Sequence, residues 1–304
     1  MKGQSRYAIL DDRGLLAVGG EDRVQFLQGL VSNDMNNVGP SRTVYAALLT
    51  AQGKYLHDFF VLNHNGALLL DCERARLEDL KKRLAIYKLR SRVTLDDVSD
   101  NFAVAALFGD NWRDGFGLDD ATGAAATFAG GVVCVDPRLA DAGGRAVLPR
   151  GTAEAVLRKV GLEKATAAEY DRLRLSLGLP DGSRDLVVDK SILLESGFDE
   201  LNGVDWKKGC YMGQELTART KYRGLVKKRL VPVVLDGPPP QPGTPVMLAG
   251  REAGEMRSAA ATEKGGIGLA LLRLDSLAEA AQAEGGLQAA GVGVTPAKAP
   301  WMAF

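Results

Sequence analysis

Apolar residues recur along the chain with two spacings, and each spacing predicts a different kind of element. Leu77, Leu80, Leu84 and Tyr87 follow one another at intervals of three and four residues, which predicts an amphipathic helix. Residues 21–30 show the same helical spacing and predict a shorter helix near the start of the chain. Other apolar runs are short and continuous, which is typical of strands.

Two of these runs lie on either side of a turn sequence and predict a hairpin. The runs cover residues 59–62 and 67–71, and the Asn-His-Asn-Gly sequence at 63–66 is typical of a tight turn. Residues 43–50 predict a further strand before the hairpin. Three strands followed by a helix indicate an α+β fold with an antiparallel sheet.

The rest of the chain continues this mixture of strands and helices. Predicted elements are strands at 103–108 and 131–135, a helix at 152–160, and a helix that begins at the capping box Thr166-x-x-Glu169. After the proline-rich residues 238–243, short apolar runs separated by Gly and Pro predict a small β-barrel or sandwich at the end of the chain.

Length and composition limit the class of protein. The chain has 304 residues, of which 46% are hydrophobic and 25% charged, as in globular proteins, and its length predicts two or three domains. Its three cysteines are far apart, which argues against a zinc knuckle or a disulfide framework and fits a reducing compartment. Residues 1–7 lack the apolar core of a secretory signal, and no apolar run reaches the roughly 20 residues of a membrane span. We therefore expect a soluble, cytoplasmic protein.

Several enzyme classes lack their motifs here. The chain has two histidines, and His64 is expected at the tip of the hairpin, apart from His57, so a two-histidine metal site is not supported. The sequence contains no P-loop, no His-Glu-x-x-His motif, no dinucleotide-binding glycine motif and no Gly-x-Ser-x-Gly elbow.

The most concentrated chemical pattern is the octapeptide at residues 208–215, Lys-Gly-Cys-Tyr-Met-Gly-Gln-Glu. Its Cys210 lies between Gly209 and Gly213, which leave room for a ligand, and lysines precede it that would favour the thiolate. The alternative is that Cys210 is a small buried hydrophobic residue, as most free cysteines are. Cys72 and Cys134 lie in apolar runs and are expected in the core.

Basic residues are concentrated around this octapeptide. Residues 207–229 contain eight basic side chains and a single acid, Glu215, although the whole chain has a formal net charge of zero. Such a segment suggests an anionic partner, which could be a polycarboxylate tail, a phosphate, RNA or an acidic protein. It could equally be a solvated basic face.

The octapeptide resembles the signature of the YgfZ-type folate-binding proteins, which are related to the T protein (aminomethyltransferase) of the glycine cleavage system. The similarity continues through residues 216–220 and extends back to 178–186 and 202–204. It is greatest to the branch that contains the mitochondrial iron–sulfur assembly factor. Weaker similarities at residues 26–34, 87–93 and 254–258 follow in the family's order.

The resemblance implies an α+β protein with three domains in a ring around a central channel and a small C-terminal β-barrel. The corresponding domains would be 1–95 with 165–225, which would bind folate, then 96–164 and 226–304. The implied ligand is tetrahydrofolate or a derivative, and the implied role is assembly or repair of iron–sulfur clusters. Cys210 would act there as a redox thiol or as a cluster ligand shared with a partner.

The resemblance also suggests further site residues. Asp58 corresponds to the acid that lies near the reactive folate nitrogen in the transferase, whereas Asp71 stands where that enzyme has an asparagine that contacts folate. Asp58 could instead be an exposed polar residue of a strand. The expected folate-binding residues are Lys208, Tyr211, Gln214, Glu215, Arg219 and Asp71.

Three functions follow as hypotheses. The first is a folate-binding accessory protein of iron–sulfur cluster assembly that uses Cys210, which need not be an enzyme. The second is folate-dependent aminomethyl transfer with Asp58. The third is RNA binding in tRNA modification, which is disfavoured because the basic segment has few stacking aromatics. The expected partners are folate and an iron–sulfur carrier or scaffold protein, with no direct RNA or membrane binding and a monomeric state when alone.

Overall fold

Strands form most of the regular structure in the computed structural model, which describes residues 4–280 and 285–304. The strands are β1 (Arg6–Ile9), β2 (Arg13–Gly19), β3 (Val44–Leu49), β4 (Tyr55–His64), β5 (Ala67–Glu73), β6 (Thr94–Asp97), β7 (Phe102–Phe108), β8 (Ala125–Phe128), β9 (Gly131–Val135), β10 (Gly144–Pro149), β11 (Glu163–Lys164), β12 (Lys228–Leu235), β13 (Pro245–Leu248), β14 (Arg251–Thr262), β15 (Gly265–Arg273), β16 (Leu287–Ala289) and β17 (Val292–Pro296). The helices are α1 (Arg23–Gln28), α2 (Leu77–Lys88), α3 (Ala153–Lys159), α4 (Ala167–Ser176), α5 (Gly182–Asp185), α6 (Gln214–Tyr222) and α7 (Leu274–Ala280).

The chain divides into two compact units. Unit 1 contains residues up to Leu49, Leu56–Tyr170 and Leu201–Met212, and unit 2 contains Thr50–Tyr55, Asp171–Glu200 and the residues from Gly213 onward. The α+β class predicted from the sequence is confirmed, because helices accompany two mainly antiparallel sheets and a closed barrel. The three predicted domain boundaries remain a prediction.

Unit 1 contains the two open sheets. One has five strands in the order β3-β4-β5-β2-β6, and the other has six in the order β11-β1-β7-β10-β9-β8. The predicted hairpin is confirmed as β4 and β5, joined by Asn65 and Gly66, which both have positive φ as a tight turn requires. Helix α2 buries Leu77, Leu80 and Leu84 as its spacing predicts, but Tyr87 is 42% exposed.

Unit 2 contains the barrel at the end of the chain. Its strands close in the order β12-β15-β14-β13-β16-β17, so of the two architectures that the sequence allowed the barrel is the one observed. Alternate side chains such as Val233 and Leu235 on β12 and Val246 and Leu248 on β13 fill its interior. Over the described residues, no helix has the length and apolar character that crossing a membrane requires.

A buried group of charges joins the two sheets of unit 1. Asp71 on β5 is fully buried, and one of its oxygens accepts a hydrogen bond from Arg13 on β2 at 2.7 Å. Its other oxygen accepts from Arg145 on β10, a strand of the second sheet, at 3.0 Å. The Arg145 guanidinium also lies 4.0 Å from the centre of the Phe60 ring. One carboxylate therefore connects strands that belong to different sheets.

Replacing this carboxylate should destabilise the protein strongly. In an Asp71→Asn variant two arginines remain buried without their anion, and we expect a loss of about 3 kcal/mol or more in unfolding free energy. Urea unfolding followed by circular dichroism measures the change. Asp100→Asn is the matched control, because Asp100 pairs with Arg74 at the surface and should leave the midpoint unchanged. Equal midpoints for the two variants would contradict a central role for Asp71.

Candidate functional site

The loop that carries Cys210 is fixed to the end of helix α1 within unit 1. The side-chain amide of Gln28 donates to the backbone oxygen of Lys208 at 3.2 Å, and the backbone N–H of Met212 donates to the oxygen of Gly29 at 3.1 Å. Both bonds lie two residues from Cys210, one on each side. The intervening Cys210 is exposed. The loop thus presents a thiol to solvent from a fixed position.

Lys208 anchors this loop from inside the protein. Its amine donates hydrogen bonds to the backbone oxygens of Val31 and Asn33, the latter at 2.8 Å, and lies 5.1 Å from the centre of the Tyr211 ring. Burial disfavours the charged amine and lowers the pKa of Lys208 to about 8. The sequence suggested that this lysine favours the thiolate of Cys210. Its amine is instead bonded to backbone carbonyls, which positions the loop.

The two glycines of the octapeptide supply its sharp bends. Gly209 has φ +89 and Gly213 has φ +80, a region that other residues adopt only with strain. A Cβ atom built at Gly209 would meet nothing within 4 Å. Glycine is therefore favoured at position 209 by its backbone conformation and not by lack of space. The same open space lets another molecule approach the backbone beside the thiol.

The other two cysteines are in the core, as predicted. Cys72 and Cys134 are both buried, and burial raises the pKa of each thiol to about 12. Such thiols are neutral at physiological pH and inaccessible. All three cysteines lie within the described residues, and Cys210 alone is exposed.

Asp58 is buried rather than exposed on its strand. It is 5% exposed and accepts a hydrogen bond from the Tyr45 hydroxyl at 2.7 Å. Burial and the neighbouring carboxylate raise the pKa of Tyr45 well above its ordinary value, so its hydroxyl keeps its proton. The alternative of a solvated strand position is wrong for Asp58.

The remaining predicted folate residues are divided between the two units. Asp71 has both carboxylate oxygens bonded to arginines, as described above, so its surroundings favour a structural role. Tyr211 is buried beside Lys208 in unit 1. Gln214 begins α6 in unit 2, and Glu215 and Arg219 are exposed one turn apart on that helix. Their roles in binding folate remain predictions.

The histidines do not form a metal site. His57 is bonded to Asp79 at 2.8 Å, and burial lowers its pKa to about 4, so it is neutral near pH 7. His64 packs edge-on against Phe102 with ring centres 5.4 Å apart. No group of three or more His, Cys, Asp or Glu side chains suited to a metal ion occurs among residues 4–280 and 285–304.

The basic segment is partly neutralised within unit 2. Lys221 pairs with Asp199, and Arg229 pairs with Glu200 and lies 4.6 Å from the centre of the Phe304 ring. Arg219, Arg223 and Lys227 are exposed. The acids that precede the segment in the chain therefore supply some of its partners, and only part of the surplus positive charge faces solvent.

Two features escaped the sequence interpretation. Unit 1 contains a polar cavity of about 370 Å³ whose lining includes Asn33, Arg42, Asn202 and Asp205. In unit 2, burial raises the pKa of Glu195 above the ordinary value of a carboxyl group. The walls of the cavity come from residues far apart in the chain, and the burial of Glu195 depends on the folded structure. Residue spacing in the sequence therefore reveals neither feature.

Comparison with known proteins identifies the family. Over 282 residues the chain is 35% identical to the human protein "Iron-sulfur cluster assembly factor IBA57, mitochondrial", with 86% of this chain and 76% of that protein covered. The mouse protein of the same name is 33% identical over 297 residues, covering 88% and 77%. The chain belongs to the IBA57 family of iron–sulfur cluster assembly factors. A homologue from Mycosarcoma maydis is 34% identical over 250 residues, and the chain spans 59% of that protein's length.

Two further matches concern the barrel and the fold. Residues 227–304 match the family model described as "CAF17, C-terminal beta-barrel domain", which covers the barrel of unit 2. The glycine cleavage system aminomethyltransferase T from Bartonella henselae superposes with a TM-score of 0.77, covering 99% of this chain and 87% of that one at 16% identity. At that identity the match shows a shared fold, which confirms the predicted fold class with its C-terminal β-barrel, whereas the ring of three domains remains a prediction.

The predicted location is contradicted by the same comparison. From the sequence we expected a cytoplasmic protein. The IBA57 proteins of human, mouse and Mycosarcoma maydis are all named as mitochondrial. The absence of a recognisable targeting pattern in residues 1–7 was therefore a poor guide to location in this family.

The three thiols of this IBA57 relative should differ sharply in reactivity. With iodoacetamide under native conditions we expect one adduct, on Cys210, because Cys72 and Cys134 are buried and protonated. Mass spectrometry of the intact and digested protein locates the adduct. A Cys210→Ser variant should remain unlabelled until urea exposes the other two thiols. Labelling of Cys72 at a rate similar to Cys210 would contradict the described burial.

Proposed function

We propose that this protein is an iron–sulfur cluster assembly factor in which Cys210 is a cluster ligand shared with a partner protein. The observation that carries this proposal is the exposed thiol on a loop that is fixed on both sides by α1. Membership of the IBA57 family supports the cluster as the substrate. The loop would hold the sulfur in place while a second protein approaches.

The need for a partner follows from the ligand count. Iron–sulfur clusters are commonly held by four cysteine thiolates, with histidine replacing some of them in certain centres. In the part of the chain that the structure describes, no further His, Cys, Asp or Glu side chains complete a metal-binding group around Cys210. A cluster bound through this thiol would therefore take its other ligands from outside the chain. A carrier or scaffold protein of the assembly system is the partner of this kind that we propose.

We also propose that tetrahydrofolate binds at Asp58 and Tyr45. When bound, it supplies a carrier for one-carbon units on its ring nitrogens. Asp58 offers a buried carboxylate and Tyr45 a protonated hydroxyl within 2.7 Å of it, which suits the N–H groups of a reduced pterin. Asp71 does not fit this role, because two arginines occupy its oxygens. The aminomethyltransferase fold supports a folate ligand without establishing it.

Aminomethyl transfer is the second candidate function. A buried carboxylate at Asp58 could orient the reactive amine of the folate, as the shared fold would allow. The exposed thiol at Cys210 has no role in that reaction. For this reason we place cluster assembly first and one-carbon transfer second.

Removal of the thiol should separate function from folding. We expect Cys210→Ser to fold normally but to lose at least about tenfold in its ability to retain a cluster together with a loaded carrier protein. The charge-transfer absorbance of the cluster in the isolated complex measures this. Lys207→Ser is the control, because it alters an exposed side chain in the same segment and should retain the cluster.

Two results would overturn the shared-ligand role. Full cluster retention by Cys210→Ser would remove the thiol from the mechanism. Trapping of a disulfide between Cys210 and the carrier, without a cluster, would assign the thiol to redox exchange instead.

Folate binding should depend on Asp58 and not on Cys210. We expect Asp58→Asn to weaken tetrahydrofolate binding by about tenfold, because the carboxylate loses its charged hydrogen bonds to the pterin. Calorimetric titration measures the dissociation constant, and Cys210→Ser should bind as tightly as the wild type. Turnover with an aminomethyl donor in the same preparation would favour the second function. Unchanged affinity in Asp58→Asn would place the ligand elsewhere.

A further inference from the structure

Apolar side chains are exposed at the end of helix α2. Ile86 is 69% exposed and Leu89 is 89% exposed, although the same helix buries its three leucines nearer the start. Beside them lies a depression of about 830 Å³, whose lining includes Gln25 and Phe26 on α1 and Leu89 and Arg90 after α2. We call this surface the α2 groove. Exposed apolar residues next to a concavity are typical of a protein-binding surface.

Basic side chains outnumber acids around the groove, whose lining contains one acid, Asp22, and one base, Arg90. Residues 80–92 contain six basic side chains and no acid. Three of these are neutralised, since Lys82 pairs with Glu78, Arg83 with Asp79, and Arg92 with Glu21 and Asp22. Lys81, Lys88 and Arg90 have no ion-pair partner among the described residues. The uncompensated positive charge therefore lies next to the exposed apolar side chains.

The backbone at Leu89 is strained. This residue has φ 38 and ψ −107, outside the regions that side chains other than glycine favour. Its side chain is nevertheless almost fully exposed, so burial of that side chain does not compensate for the strain. Strain of this kind at an exposed residue is frequently found at ligand-binding positions.

Helix α1 links the groove to the thiol. Gln25 and Phe26 line the groove, and the same short helix ends at Gln28 and Gly29, which hold the Cys210 loop. A helix rises about 1.5 Å per residue, so the groove wall and the loop anchors are separated along α1 by only about one turn. A protein seated in the groove would lie beside the exposed thiol, within the same unit.

We propose that the α2 groove is the docking surface for the iron–sulfur protein that shares its cluster with Cys210. This inference rests on the proposed function. It adds the surface on which the partner binds and the kinds of side chain that the partner must carry there. The partner would insert an apolar side chain against Ile86 and Leu89 and place carboxylates opposite Lys88 and Arg90. Charge complementarity therefore selects an acidic protein surface with an apolar centre.

Other occupants suit the groove less well. Sequence-independent RNA binding uses several stacked aromatic rings, whereas Tyr87 is the one exposed aromatic side chain that lines the groove, beside the aliphatic Leu89. A bilayer surface would suit a continuous apolar helical face, whereas α2 turns Leu77, Leu80 and Leu84 into the core. The experiment below distinguishes RNA and a membrane surface from a protein partner.

The test compares binding of an apo iron–sulfur carrier protein of acidic surface to four variants of the full chain. The double variant Ile86→Gln, Leu89→Asn removes the apolar contacts, and asparagine tolerates positive φ at position 89. Arg90→Glu reverses one charge. The controls are Val234→Gln, at a residue 50% exposed on the barrel, and Arg172→Glu, at an exposed arginine of α4. Surface plasmon resonance gives association and dissociation rates.

We expect the double variant to weaken carrier binding at least about tenfold. Arg90→Glu should slow association of the carrier and make the association rate less dependent on salt. Both controls should bind as the wild type does. Wild-type affinity in the double variant would overturn the groove while leaving the role of Cys210 intact. Loss of binding to a tRNA or to anionic vesicles, with carrier binding unchanged, would assign the groove to those partners instead.

Discussion

The carboxylate of Asp71 is the interaction on which unit 1 depends most directly. Two guanidinium groups from different sheets converge on it, and neither could remain buried without that anion. The Phe60 ring packs against the arginine layer, with the Arg145 and Arg138 guanidinium groups 4.0 Å and 4.9 Å from its centre. The Arg138 guanidinium also lies 5.5 Å from the centre of the Tyr45 ring, and the Tyr45 hydroxyl donates a hydrogen bond to Asp58. A buried charge network thus fixes the surroundings of the proposed folate carboxylate, so the rigidity of that site is a property of the whole sheet pair.

The thiol is positioned by a different principle. Hydrogen bonds from Gln28 and to Gly29, together with the partly buried amine of Lys208, fix the loop on both sides of Cys210, whereas the sulfur itself is left exposed. Cys72 and Cys134 show the opposite case, since burial raises their pKa and makes them inert. The fold therefore separates one exposed thiol from two buried, protonated ones.

Local patterns predicted the parts of the fold that local chemistry determines. The Asn-Gly turn after β4 and the Thr166–Glu169 capping box are both formed as their sequences indicate. Contacts between distant residues were not predictable in this way. The sequence suggests a ligand-binding role for Asp71, but one of its partners is 74 residues away. It also suggests that Lys208 acts on its neighbour Cys210, whereas its amine is bonded to a residue 175 positions earlier in the chain. Spacing identifies which side chains are chemically unusual, whereas only the fold determines what they face.

The comparison with the aminomethyltransferase fold sharpens this point. A TM-score of 0.77 at 16% identity means that the scaffold is retained while most side chains differ. In this chain an exposed thiol, Cys210, and a basic surface with exposed aliphatic residues lie in the same unit, and we propose a protein partner for both. Asp58 is buried beside Tyr45, and it is there that we propose the folate ligand. A protein that combines an enclosed carboxylate with an exposed, rigidly held thiol can bind a small ligand and a protein partner through separate groups, and the occupancy of one need not prevent that of the other.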